Sequence, residues 1–460
     1  MTDTDAQPRS SADTHPKVLT AIMVPLIVGY VAMFTYAMRY TSYDIWGAIF
    51  LAPVLIAISV PILTRYARTE ANRYIGPILI FALLLKLAAA IPRYLMVAVL
   101  YENGDALRYS DTGIALREEL LNFDFSFVAL GTNSRTGTQF VEIVTGVAYT
   151  LVGPSIISGF IFFAWLSYWG LFFFYRAFRV AIPDGDATRY ALLLFFLPSM
   201  LFWPSSIGKE AWMTLVLGLM TYGSALLLER RRGASVYLAL GLAGVLAVRP
   251  HMALLAIAGI GLGYVLRSGR ASRVAQFSRT RTILGLGVIA VLTLVVTQRV
   301  ADFFGVDEFN LDTAVETLEY AEGQTSQGGS EYSGTGASLR ELPINIITVL
   351  FRPFAFEVHN IQALLAALEG TFLMVLFAIS LPRLRSIPSR LRKNPYVTYC
   401  LIYILLFCFM FSAFQNFGIL ARQRVLVFPL VLTLLALPMV GARRRRDRPT
   451  LETRSALSAD

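Results

Sequence analysis

The sequence predicts an all-α protein, a polytopic transmembrane helix bundle of about 12 spans with both termini cytoplasmic and two long extracytoplasmic loops. Three observations carry this expectation. Only 15% of the 460 residues are charged and 56% are hydrophobic, whereas a soluble domain carries about 25% charge. The apolar residues come in runs of about 20, the length that crosses a hydrocarbon core. The basic residues fall on alternate connecting segments, as the positive-inside bias requires. A water-soluble enzyme and a disordered chain are both excluded.

Residues 1–17 (MTDTDAQPRSSADTHPK) are polar, with no small-residue cleavage site after the first apolar run. They read as a cytoplasmic tail rather than a signal peptide. The bundle occupies 18–441, with spans expected near 18–38, 45–63, 75–100, 155–175, 190–204 and 210–228, then 235–248, 252–266, 283–300, 361–381, 396–414 and 424–441. The runs 190–204, 235–248 and 252–266 are short, and read as broken or tilted helices meeting a cavity, or as one re-entrant pair.

With the N-terminus inside, segments 64–74, 176–189, 229–233, 267–282, 382–395 and the basic tail 442–460 are cytoplasmic. Together with 1–17 they hold 27 of the 40 bases. The loop 301–342, of opposite parity, holds nine acids and one base, Arg340. That outer side also carries the loop 101–140. The segments 141–152 and 344–354 read as short helices on or in the outer leaflet, and the Gly/Ser-rich 321–338 as a mobile loop or lid.

Cys400 and Cys408 lie in one apolar run, and His15, His251 and His359 are scattered. Disulfide scaffolds, cysteine zinc sites and histidine metal clusters are therefore excluded. No GxxxxGK[ST] loop marks a nucleotide site. The net charge of +10 is an orientation signal and not a sign of nucleic acid.

Three polar clusters could carry chemistry. The first runs from Tyr101 to Asp111 after the third span. There Asp105, with Asp111 second, can act as general base or hold a divalent cation, the one cofactor this loop suggests. The bland reading makes Asn103-Gly104-Asp105 a turn with solvated acids, and Glu118, Glu119 and Asp124 an exposed helix face. The second runs from Leu201 to Glu210, between Pro198 and Pro204, which can break the fifth span, and the start of the sixth. Glu210 there is explained by a favourable helix N-terminus. Lys209 is not, and it sits where exposed amides hold anions.

The third cluster is intramembrane. Lys86 and Arg93 share one helical face about 10 Å apart, at a depth where charge marks function. Snorkelling suits Arg93 better than Lys86, and Glu369 can pair with Lys86. Arg249 with His251, Arg352, and Arg422 with Arg424 lie at outer span ends, against the charge bias. Arginine forks best onto phosphate oxygens, and headgroup contact is the plainer alternative. One acid and several cations opening outward suit a polyprenyl phosphate or diphosphate, with the acid left to deprotonate an acceptor hydroxyl.

Gly104-Asp105 with Tyr109, and the stretch from Leu197-Pro198-Ser199 through Phe202-Trp203-Pro204-Ser205-Ser206 to Lys209-Glu210, resemble motifs of polytopic GT-C-type membrane glycosyltransferases and of bacterial O-antigen and exopolysaccharide polymerases. The resemblance implies a donor sugar linked to a polyprenyl phosphate, a glycan, lipid or protein acceptor, and a site outside the cell membrane. Two departures stand out: the acidic loop follows the third span rather than the first, and Asp105 has no adjacent acid. A transporter or flippase is the alternative, and it predicts two related halves, which the chain does not display. A non-catalytic scaffold in envelope assembly is a third reading.

Overall fold

The computed structural model describes residues 14–439 except 103, 127–135, 269–274, 309, 311–312, 314–315, 317–338, 359 and 392. The tail 442–460, the first 13 residues of the N-terminal tail, the stretch 321–338 and His359 lie outside the described residues.

Every regular element among the described residues is a helix. In chain order these are α1 (Thr14–Tyr40), α2 (Tyr43–Ala67), α3 (Ile75–Leu100, closing in a π-helical turn), α4 (Asp105–Leu121), α5 (Thr136–Val152) and α6 (Ile156–Ala181). Then come α7 (Ala187–Phe196), α8 (Pro198–Phe202), α9 (Lys209–Leu228), α10 (Ala234–Val248), α11 (Pro250–Ser268) and α12 (Ala275–Phe304). The series ends with α13 (Leu342–Phe351), α14 (Ile361–Ile379), α15 (Pro395–Phe411), α16 (Phe417–Gln423) and α17 (Phe428–Leu435), with short helical turns between. In an apolar solvent a helix satisfies the backbone N–H and C=O groups within one segment.

Each of the twelve apolar runs overlaps a helix among the described residues, but by length and composition six helices among the described residues can each cross a membrane. They lie in α2, α3, α6, α9, α12 and α14, and two bent pairs bring the number to eight. The helices α7, α10, α11 and α13 are apolar but shorter.

The centre of the bundle is α9, 78% buried over its most apolar window, flanked by α6 at 61%; α12, at 11%, is an edge. Two glycines allow the central contact. A Cβ on Gly218 would sit 2.2 Å from the Gly170 carbonyl oxygen, and one on Gly170 would sit 2.3 Å from that of Thr214. Small residues let two apolar helices approach this closely.

The fifth apolar run is broken. α7 stops because Pro198 forces Leu197 into extended backbone (ψ 127), and α8 restarts at the proline. The break is held by two buried charges. Lys86 of α3 donates to the carbonyls of Met200 (2.7 Å) and Leu201 (3.2 Å). Glu369 of α14 accepts from the Ser199 amide (3.2 Å) and hydroxyl (2.7 Å). The pair expected between Lys86 and Glu369 is therefore not formed, because each is taken up by polar groups that the break exposes.

The segment 101–140, expected as a long loop, is helical from Asp105 to Leu121. Ala106, Tyr109, Gly113 and Leu116 are buried at helical spacing. Gly113 faces Thr145, and Gly146 faces Leu116, so α4 and α5 pack as a hairpin. That hairpin lies at the end of the bundle where α9 begins.

Candidate functional site

Five helix ends converge around a polar cavity of about 230 Å³. The last turns of α3 bring Arg93 and Val97, and the start of α4 brings Asp105 and Tyr109. The turn before α9 brings Ser206 and Gly208 and leads into Lys209 and Glu210. Arg249 comes from the α10–α11 junction and Arg422 from α16. Gly104 caps α4 at φ 141, a conformation open to glycine, and this turns Asp105 toward the cavity rim.

Seven of the twelve residues expected at the site line this cavity: Arg93, Asp105, Tyr109, Lys209, Glu210, Arg249 and Arg422. Four cations against two carboxylates leave an excess of two positive charges. The buried Glu210 accepts from Arg249 Nη2 (3.0 Å) and Gln423 Nε2 (3.4 Å), and its Oε1 lies 3.3 Å from Arg422 Nε. Arg249 also donates to Gln423. Glu210 thus does more than favour a helix start: it fixes two arginines.

Arg93 has no ion-pair partner among the described residues. Its guanidinium lies 5.0 Å from the Phe202 ring centroid and 4.9 Å from that of Trp203, and its Nε is buried without a hydrogen bond. Lys209 Nζ donates once, to Thr138 of α5 (3.0 Å). Asp105, half-exposed at the rim, lies 3.5 Å from Arg108 and 3.9 Å from Arg422. Burial, reinforced by Asp105, raises the Tyr109 hydroxyl above its ordinary value, so it stays protonated and can donate.

The other five expected residues do not line the polar cavity. Lys86 is spent on the helix break. Asp111 lies six residues along α4 from Asp105, exposed on that helix. His251 packs its ring against Phe303 and Phe304. Arg352 pairs with Glu357 and stacks over Phe417 (5.2 Å). Arg424, fully buried, donates to the Arg352 carbonyl (2.8 Å) and lies 4.0 Å from Glu369.

Beside the polar cavity lies an apolar groove of about 800 Å³ between α7, α8 and α14, with Phe196, Trp203 and Phe372 among its walls. The two share one layer of side chains. The rings of Phe202 and Trp203 that hold Arg93 face the groove, and Gln362 of the groove donates to Tyr101 of the cavity (3.0 Å). Thr138, Gln423 and Gln362 had no distinguishing signal in the sequence, except that Gln423 stands between two flagged arginines.

A divalent cation does not fit this donor set. Asp105 faces Arg108 and Arg422, Glu210 is held by Arg249 and Arg422, and no three His, Cys, Asp or Glu side chains gather among the described residues. What the lining can do is bind an anion, with a carboxylate at the mouth. No protein-family model, curated protein or solved structure matches the chain.

Proposed function

We propose that the chain is an integral membrane glycosyltransferase or polysaccharide polymerase. It takes a polyprenyl-phosphate-linked sugar at the extracytoplasmic face and serves cell-envelope or exopolysaccharide synthesis. One observation carries this reading: a small cationic cavity shares a wall with a large apolar groove, which is the shape of a phosphate head joined to a long hydrocarbon tail. The charge bias that puts basic segments inside supports twelve spans with both termini cytoplasmic and the cavity outside.

In this reading Arg93, Lys209, Arg249 and Arg422 bind the donor phosphate, and the groove holds the prenyl chain. Asp105 takes the proton from an acceptor hydroxyl, whose oxygen attacks the anomeric carbon. The bond from that carbon to the phosphate oxygen breaks, and its electron pair leaves with the lipid phosphate. The cations stabilise that charge where water is scarce. No step passes through a metal.

The test is turnover of polyprenyl-phosphate and polyprenyl-diphosphate sugars by protein in lipid nanodiscs. Donor consumption should fall at least about a hundredfold in Asp105→Asn, the usual scale for a lost general base. Product length separates polymerase from single transfer. Turnover unchanged in Asp105→Asn refutes the assigned base. A flippase of the same lipid is favoured by one feature, the discontinuous α7–α8 helix, since broken helices recur in transporters. It predicts donor movement across the bilayer with no glycosidic product.

A further inference from the structure

At the other end of α9 lies a second polar cavity, of about 410 Å³, formed where α2, α6 and α9 end and by the Arg231-Arg232 turn. The rise from Lys209 to Tyr222 alone separates it from the first cavity by about 20 Å. Its central side chain is Arg176 of α6. The guanidinium lies 4.4 Å from the Tyr222 ring centroid and 5.7 Å from that of Tyr66, and among the described residues no carboxylate or carbonyl accepts from it. The one acid present is already taken. Glu70 receives Arg179 Nε at 3.1 and 3.0 Å, pairs with its Nη2 at 2.9 Å, and accepts the Tyr66 hydroxyl at 2.7 Å. The C-terminal turn of α9 brings two more cations. Arg230 adopts positive φ (56°), and Arg231 N–H bonds back to the Leu226 carbonyl (2.8 Å). This closure normally uses glycine, and it turns Arg231 and Arg232 over the cavity.

We infer that this cavity binds a phosphate group, gripped by Arg176 from within and by Arg231 and Arg232 from the rim. Stacked aromatic rings fix the Arg176 fork in one orientation, which suits two parallel hydrogen bonds to phosphate oxygens. The half-buried Arg176 fork has no protein acceptor among the described residues and opens on a cavity larger than a water site. An anionic phospholipid headgroup and free phosphate share this chemistry. The inference is independent of the glycosyltransferase reading, because the two cavities have no residue in common.

The experiment uses the full chain in phosphatidylcholine nanodiscs, with phosphatidylglycerol or inorganic phosphate added. Retained ligand is read by native mass spectrometry and protection by thermal unfolding. Wild type should retain phosphatidylglycerol or be protected by phosphate. Arg176→Gln should bind the same probe about tenfold more weakly, the loss of one charged hydrogen bond. The doubly substituted Arg231→Gln, Arg232→Gln changes only exposed side chains and should weaken binding without altering the fold, which guards against a misfolded Arg176 variant. Arg65→Gln, exposed on α2 outside the cavity, should bind as wild type does. Response to phosphatidylglycerol alone assigns the site to lipid, and response to phosphate alone assigns it to a soluble ligand. Equal losses in Arg65→Gln and Arg176→Gln, or no binding of either probe by wild type, overturn the inference.

Discussion

Arg93 enters the polar cavity between two aromatic rings and without an ion-pair partner among the described residues. A cation desolvated in this way is costly unless it meets an anion, so its value lies in the ligand it awaits. Replacing it with Gln should raise the donor KM about tenfold or more, from a charged hydrogen bond worth about 1.5–3 kcal/mol. Lysine should restore little of that, since it lacks the planar fork and the stacking face. Steady-state kinetics of the two variants check this. Glu210 is the opposite case, a carboxylate spent on anchoring Arg249 and Arg422. Removing its charge with Glu210→Gln leaves the buried Arg249 guanidinium without its carboxylate, a loss of about 3–5 kcal/mol for a broken buried pair. Thermal unfolding should register that loss, along with a raised KM. Unchanged stability would mean that water already satisfies both arginines. Neither role was legible from spacing alone, because Glu210 had a sufficient explanation at a helix start and Arg93 a sufficient one in snorkelling.

Helix contacts set the positions of these side chains. α6 and α9 cross at Gly170 and Gly218 with no room for a methyl group. Gly218→Val should therefore separate the helices and prevent recovery of folded protein, since overpacking a tight contact costs about 1–3 kcal/mol or more. Gly287→Ala, where nothing lies within 4 Å, should leave stability unchanged or slightly raised. Monodispersity in detergent and unfolding temperature would separate the two. Apolar run length pointed to the helices, of which six to eight are long and apolar enough to span a membrane, and Pro198 located the break. It did not reveal α4, because DALRYSDTGIALREELL is too polar to read as a span. Its buried positions Tyr109, Gly113 and Leu116 become informative only once α5 is known to pack there.

At the scale of the whole molecule, the rule that cations at the outer ends of spans need a reason brought out Arg249 and Arg422, while Arg93 came from its depth in a span, Lys209 and Glu210 from a helix start, and Asp105 and Tyr109 from the polar stretch after the third span. The sequence did not bring out the groove, because Phe196, Trp203 and Phe372 are ordinary apolar residues until the break lets α7, α8 and α14 diverge. The same charge rule makes a claim about orientation that can be tested without any substrate. Both native cysteines are buried, so the unaltered chain should be silent toward a membrane-impermeant maleimide. Glu118 is exposed on α4, at the end that carries the polar cavity, and Arg232 is exposed at the end that carries the second one. In intact cells Glu118→Cys should label directly, while Arg232→Cys should label only after permeabilisation. The reverse pattern would put the first cavity in the cytoplasm and remove the extracytoplasmic glycosyltransferase reading. The two cavities would still lie at opposite ends of α9, the most buried of the candidate spans.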